Sequence, residues 1–405
     1  MLNAKNSRSS IFLVLCIMGL FAILSSTMSK NPVLKLFATS LGTPEGFWLG
    51  FVASASTIPG ILVSLPAASL SDIFGRRKML LISSIVFASA PFLYLFITAW
   101  WQLILVRFYH GFATAIFVPV AEASIAVEFP TKRGERISLF SSATAFGRAT
   151  APFLGGYILY MTNYNYSTLY LAVAIAGVTA LVTGLLFLVE EKIGAVKTED
   201  SASTMGKMLH GWGHIAGSHG ILTVSLVQAC QYYAFGALEY FFVGYMKDIV
   251  GLNAFLIGTV TGSQILILIF IKPLMGIISD KIGRRAPILV GSLISALPLF
   301  AIPFVSDVYV LLLLSVVFGF GFATVTACTS PLVCELIPKE LVGASMGFLD
   351  TTMDVGQTLG PIVGALILAT AFQYTGVFYS LGIVLLFAGA IFAISKVART
   401  KRIPT

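Results

Sequence analysis

The sequence predicts an all-α integral membrane protein with twelve transmembrane helices arranged as two pseudo-symmetric six-helix bundles. Three observations carry that expectation. The 405 residues are 57% hydrophobic with only 10% charged, and the mean hydropathy is +0.94, more apolar surface than a water-soluble core can bury. Apolar runs of roughly 20 residues, long enough to cross about 30 Å of hydrocarbon as helix, recur from end to end. A charged string also occurs twice, as "SDIFGRRKM" from Ser71 and "SDKIGRRAP" from Ser279.

The runs place spans at about 11–29, 46–70, 79–98, 101–129, 137–160 and 168–189, then at 219–246, 254–278, 287–306, 308–336, 343–370 and 375–396. Lys5 and Arg8 give the first run the flank of a signal peptide. No small-x-small cleavage site follows it and eleven further spans do, so it is expected to stay as an anchor. Between the sixth and seventh runs, "EEKIGAVKTEDSASTMGKMLHGWGH" is the only long polar stretch. The expected organisation is therefore an N-terminal bundle at 1–189, a cytoplasmic linker at 190–214 and a C-terminal bundle at 215–405.

A net charge of +8 could suggest nucleic acid, but the positions of the charges argue otherwise. With the N-terminus inside, nineteen of the 25 basic residues, among them Arg76, Arg77, Lys132, Arg133, Arg284, Arg285 and Lys401, fall on the cytoplasmic side. That is the positive-inside bias, so both termini are expected in the cytoplasm of a multi-pass cell-membrane protein with no nucleic-acid partner. Cys16, Cys230, Cys328 and Cys334 lack pairing or metal spacing and read as apolar fillers. His210, His214 and His219 raise a metal site, but no Cys or acidic cluster accompanies them and an interfacial segment is the better reading.

The repeat extends beyond the charged strings. Asp72 and Asp280, Gly111 and Gly319, and Pro130 and Pro338 are each 208 residues apart, and Pro152 and Pro361 are 209 apart. Six spans are thus written twice. Six is even, so both copies enter the membrane from the same side, related by an axis along its normal.

The doubled string resembles the loop pattern Gly-x-Leu-x-Asp-x-x-Gly-Arg-Arg/Lys of the major facilitator superfamily, found between spans two and three and echoed between eight and nine. The second copy supplies Gly276, Asp280, Gly283, Arg284 and Arg285; the first has Ala68 at the initial position, then Asp72, Gly75, Arg76 and Arg77. Ala is small enough to keep close helix approach. Arg107 in "VRFYHGFATAIF" is similar to the family's fourth-span Arg-x-x-x-Gly. "GRATAPFLGG", with Gly147, Arg148, Pro152, Gly155 and Gly156, resembles the fifth-span Gly-Pro-x-x-Gly-Gly signature of proton-coupled antiporters, and "GQTLGPIVGA", with Gly360 and Pro361, echoes it. Ala151 replaces the signature's first Gly and Arg148 is an added charge.

In the loop string a Gly permits a sharp turn, and an acid near a helix N-terminus meets the positive end of its dipole. The resemblance implies a latch that closes the cytoplasmic side: Asp72 capping the eleventh span with Arg76 on Glu128, and Asp280 serving the fifth span with Arg284 on Glu335. Such contacts bias one conformation of a carrier. The plainer alternative is that the basic residues only fix orientation.

Charges inside spans cost roughly 2.5 to 3.5 kcal/mol each, so each suggests a partner or a wet path. In the repeat, Gly50 answers Gly258, which sets Asn31 opposite Glu239. In the family the first and seventh helices face each other, so Lys30 and Glu239 are expected to approach, unless Lys30 snorkels from an external loop. Gln228, Gln231, Tyr232, Phe235, Glu239 and Phe242 share one helical face. That stripe reads as cavity lining or as aromatic packing between helices. Arg107 and Glu122 are fifteen residues apart, about 22 Å along a helix axis on nearly one azimuth. For Arg107 the resemblance implies a role in proton coupling or anion handling; for Glu122 a structural pairing is an equal reading. Asp350 and Asp354 stack one turn apart. Close carboxylates rarely both ionise, so the pair is a candidate proton site or part of a structural ion network, with Arg148 and Lys272 as available cations.

Phosphate loops and nucleophile elbows are absent, so neither ATP-driven transport nor hydrolysis is supported. The resemblance implies a monomeric secondary carrier, not an enzyme, with no cofactor and no metal, working in the lipid bilayer by alternating access. The preferred expectation is efflux of small amphipathic or drug-like compounds in exchange for protons. One alternative is an importer or uniporter of a small, possibly anionic metabolite, since the first span lacks an acid and Lys30 would suit an anion. Another is a receptor or scaffold that lost transport, against which the charges within spans argue.

Overall fold

A computed structural model describes residues 2–188, 218–337, 342–395 and 397. The expected linker at 190–214, with His210 and His214, lies outside the described residues, as does the side chain of Asp72. Helices dominate, and no strand occurs among the described residues. In the first half they are α1 (Leu2–Met28), α2 (Val33–Ser40), α3 (Phe47–Ser54), α4 (Ile58–Phe74), α5 (Arg76–Tyr94), α6 (Trp100–Glu128), α7 (Arg133–Met161) and α8 (Tyr166–Phe187). In the second half they are α9 (His219–Asp248), α10 (Ala254–Ile282), α11 (Arg285–Ala301), α12 (Val308–Glu335), α13 (Val342–Leu368) and α14 (Gln373–Ile394).

Every expected span coincides with helix, with two differences. The second span is not one helix: it breaks between Ser54 and Ile58, where Pro59 opens α4. Proline lacks the N–H that a continuous helix would use, so it starts a helix more readily than it extends one. The first span is followed by a turn and the short α2, which buries Lys35. Nine described helices are long and apolar enough to cross a membrane, ten with the α3–α4 pair taken as one. The helices α7 and α13 are not among them, because Gly, Thr and charged residues such as Arg148, Asp350 and Asp354 dilute their apolar content. Large apolar side chains stand exposed, for example Ile175 at 69% and Ile394 at 80%, as on a surface solvated by lipid.

The chain forms two compact units: Met1–Thr43, Ala55–Thr204 and Leu252–Gly262 in the first, and Pro44–Ser54, Met205–Gly251 and Ser263–Thr405 in the second. Each half of the chain thus lends a short piece to the other unit. The first is cored by Met18, Phe87, Phe117 and Phe140, the second by Val227, Val325, Leu349 and Phe392.

The repeat reappears in backbone contacts. A Cβ on Gly147 of α7 would lie 2.4 Å from the Leu20 carbonyl of α1, and one on Gly356 of α13 would lie 2.1 Å from the Ala229 carbonyl of α9. Likewise Gly111 meets the Ser56 carbonyl at 2.4 Å and Gly319 the Gln264 carbonyl at 2.5 Å. Gly258 meets the Pro152 carbonyl at 2.3 Å, and Gly50 meets that of Pro361 at 2.4 Å. Lipid gives helices no hydrophobic reason to associate, so such approaches of bare backbone are a main source of packing energy. The α7 and α13 contacts align Leu20 with Ala229, an offset of 209. This corrects the register of the first span by one residue: Lys30, rather than Asn31, is the repeat counterpart of Glu239.

Gly276 behaves differently, since among the described residues an added Cβ would meet nothing within 4 Å. Two substitutions separate these cases. Gly356→Ala is expected to cost about 1–3 kcal/mol through forced backbone displacement, lowering the melting temperature of the purified protein, whereas Gly276→Ala leaves it unchanged.

Candidate functional site

The loop strings adopt the same local geometry in both halves. Gly75 and Gly283 sit at φ of 94° and 89°, the left-handed region that favours glycine and lets one helix end and the next begin at once. In the second string Arg284 donates from Nε to Glu335 Oε1 at 3.1 Å, the pairing that the family resemblance implies. Arg284 also donates to the Asp280 carboxylate and to Ser279 Oγ. In the first string Arg76 is buried at 6% exposure, Glu128 is half-buried, and both engage neighbours.

The second arginine of each string does something that sequence reasoning missed. Arg77 donates from Nε to the Leu188 carbonyl at 2.5 Å, capping the C-terminal end of α8. Arg285 donates from Nη1 to the carbonyls of Ser395 at 2.9 Å and Val397 at 2.7 Å, and from Nη2 to that of Ala393, capping the end of α14. The last carbonyls of a helix have no internal acceptor role and carry the negative end of its dipole, so a guanidinium satisfies both demands. Each string therefore fixes the final helix of its own half.

Within the first unit, Arg107 lies 2% exposed inside the bundle. Its Nη2 donates to Ser56 Oγ at 2.5 Å, and its charge reaches Tyr94, His110 and Tyr170. Three of these, His110, Tyr94 and Tyr170, carried no signal in the linear sequence, because a neutral ring within an apolar run does not disturb its pattern. Glu122 is half-buried and engaged by neighbours. Lys30 lies in the turn after α1 and is also engaged. Gly155 and Gly156 of the fifth-span signature are buried, while Arg148 is exposed.

Within the second unit, the α9 stripe faces other helices of its bundle. Gln228 accepts from Thr329 Oγ1 of α12, and Gln231 Nε2 donates to Ser295 Oγ of α11 at 3.3 Å. Tyr232 and Phe235 pack on Phe322, at 5.1 and 4.6 Å between ring centres, and Phe242 meets Phe378 at 6.2 Å. Lys272 Nζ stands 5.9 Å above the Phe322 ring, a cation–π contact. Glu239 is buried at 9% exposure and engaged. Asp350 is exposed and Asp354 half-buried. No ion pair within this unit reaches either carboxylate among the described residues. His219 is exposed, and no group of three metal-binding side chains occurs among the described residues.

The comparisons with known proteins agree with this duplicated, all-helical architecture. The family model described as Major Facilitator Superfamily matches residues 11–243 and again 224–404. The chain belongs to that superfamily. Membership makes it a multi-pass membrane transporter of small molecules, not an enzyme. Among its relatives in the Major Facilitator Superfamily is a Multidrug resistance protein MdtG of Dickeya zeae, 24% identical over 355 residues, covering 86% of this chain and 85% of that one. The Multi-drug resistance efflux pump PmrA of Streptococcus pneumoniae is 28% identical over 363 residues, covering 88% and 89%. A solved bacterial homolog of the human lysosomal transporter Spinster, in an inward-facing unoccupied conformation, shares the fold at a TM-score of 0.78 and 15% identity, covering 96% of each chain.

The arginine caps make a direct test. Charged hydrogen bonds contribute about 1.5–3 kcal/mol each, and Arg285 reaches three carbonyls where Arg77 reaches one. Thermal unfolding of purified R285Q is expected to fall further below the parent than that of R77Q.

Proposed function

We infer that this carrier exports small amphipathic or drug-like compounds from the cell in exchange for protons, from a cell membrane in which both termini face the cytoplasm. The observation that carries this reading is the doubled fifth- and eleventh-span signature. Around Pro152 and Pro361 it supplies glycine-to-carbonyl contacts that hold α7 and α13 against their neighbours at the distance of bare backbone. The names of the MdtG and PmrA relatives support the same direction. Asp350 and Asp354, one turn apart on α13 with no ion pair inside their unit among the described residues, are the favoured proton-accepting pair. Arg284 with Glu335, and Arg76 with Glu128 in the other half, are the latch that steadies the cytoplasmic side when closed. The carrier works as a monomer in lipid, with rocking of the two halves exposing the solute site to one side at a time.

A second reading, carriage of an organic anion, is favoured by one specific observation: Arg107 is buried and no ion pair reaches it among the described residues.

Transport in inside-out vesicles tests the main reading. With an inward-acid gradient, a lipophilic dye is expected to accumulate and to leak back when a protonophore is added. Asp354→Asn is expected to abolish gradient-driven accumulation while leaving solute-for-solute exchange measurable. Accumulation by the parent that ignores the gradient contradicts proton antiport.

A further inference from the structure

The first unit holds a nest of buried polar groups that the latch, the α13 acids and the α9 stripe do not explain. Arg107 and His110 stand one turn apart on α6, each 2% exposed. His110 Nδ1 lies 3.5 Å from Tyr94 OH of α5 and 3.5 Å from Ser29 Oγ, just past α1. Tyr94 stacks on Tyr170 of α8 at 4.3 Å between ring centres with planes 2° apart. The Ser29 hydroxyl donates to the Ser26 carbonyl at 2.7 Å. In the tautomer in which the Tyr94 hydroxyl donates to His110 Nδ1, the ring hydrogen stands on Nε2.

Three polar atoms of this nest are buried without a hydrogen-bond partner: Arg107 Nε, His110 Nε2 and Tyr170 OH. An orphaned buried donor is costly, and an uncompensated buried guanidinium costs more. All three can donate, and an arginine cannot become neutral. A set of donors around a permanent cation selects an anion over a cation or a neutral amide.

The duplication supplies an internal control. Gly111 against Ser56 and Gly319 against Gln264 fix the register of the two copies here. In that register Arg107 corresponds to Ser315 and His110 to Phe318. Ser315 Oγ donates to Gln264 Oε1 at 3.5 Å, the counterpart of Arg107 on Ser56, and Phe318 stacks on Phe322. The same fold is thus built in the second half with a neutral, largely apolar set. Packing does not require the guanidinium or the imidazole.

We propose that Arg107, His110 and Tyr170 form an anion-binding site inside the first bundle that takes a carboxylate, free or as part of a transported solute. The carboxylate neutralises Arg107 through Nε–H and accepts from the imidazole Nε2–H and the Tyr170 hydroxyl. The inference deepens the second reading above and rests on the chain being a carrier, but it does not depend on proton antiport.

Thermal unfolding of the purified full-length protein at constant ionic strength tests it, with sodium benzoate, sodium acetate, sodium chloride and neutral benzyl alcohol as probes. Benzoate is expected to raise the melting temperature by a few degrees over chloride and benzyl alcohol. Acetate matching benzoate identifies a free small carboxylate as the ligand, and benzoate acting without acetate identifies the carboxylate of a larger solute. Arg107→Ser and His110→Phe install the residues that the second half already accommodates. Both are expected to fold, the first losing the shift and the second reducing it, while Arg107→Lys keeps part of it. No carboxylate shift in the parent, an equal shift from benzyl alcohol, or a shift surviving Arg107→Ser overturns the proposal. Proton antiport absent from vesicles while the Arg107-dependent shift persists would count against the main functional reading alone.

Discussion

The contact on which the rest depends is glycine against carbonyl. In lipid the hydrophobic effect does not sort one helix from another, so helices associate where side chains are small enough for backbones to touch. Six such contacts, three in each copy, fall at equivalent positions: Gly147 and Gly356, Gly111 and Gly319, Gly258 and Gly50. They fix the register between helices, and with it the placement of every polar side chain that the bundles bury. Arg107 reaches Ser56 because Gly111, one turn further along α6, presses against the Ser56 carbonyl.

Over this frame the two halves have diverged in how they treat charge. The loop strings kept their turn glycines and their helix-capping arginines, Arg77 on α8 and Arg285 on α14. The interiors did not stay alike. The first encloses a guanidinium and an imidazole; the second stacks Phe318, Phe322 and Phe235 beneath the ammonium of Lys272. A duplicated carrier can alter one interior for solute chemistry while the copied backbone contacts keep both bundles packed.

Much of the architecture was legible in the sequence because membrane helices announce themselves by length and apolarity. The break after Ser54 was not, since Pro59 and the small polar residues before it sit inside a long run that no charge interrupts. The pair of Arg284 with Glu335 was legible only through the motif's resemblance; fifty-one residues separate the two, and no periodicity links them. The nest around Arg107 was half visible. The arginine stood out as a charge, whereas His110, Tyr94 and Tyr170 come from three helices and meet only in the fold. Laying the two copies side by side would have found His110, because Phe318 stands in its place.

The alternating access we propose would expose a solute site to each side of the membrane in turn. It is tested most directly by side-specific labelling of a single cysteine at position 354 in protein lacking Cys16, Cys230, Cys328 and Cys334. Alternating access predicts that a membrane-impermeant maleimide reacts from either face, in proportions that shift when solute is added. Reaction from one face only, unchanged by solute, would contradict it.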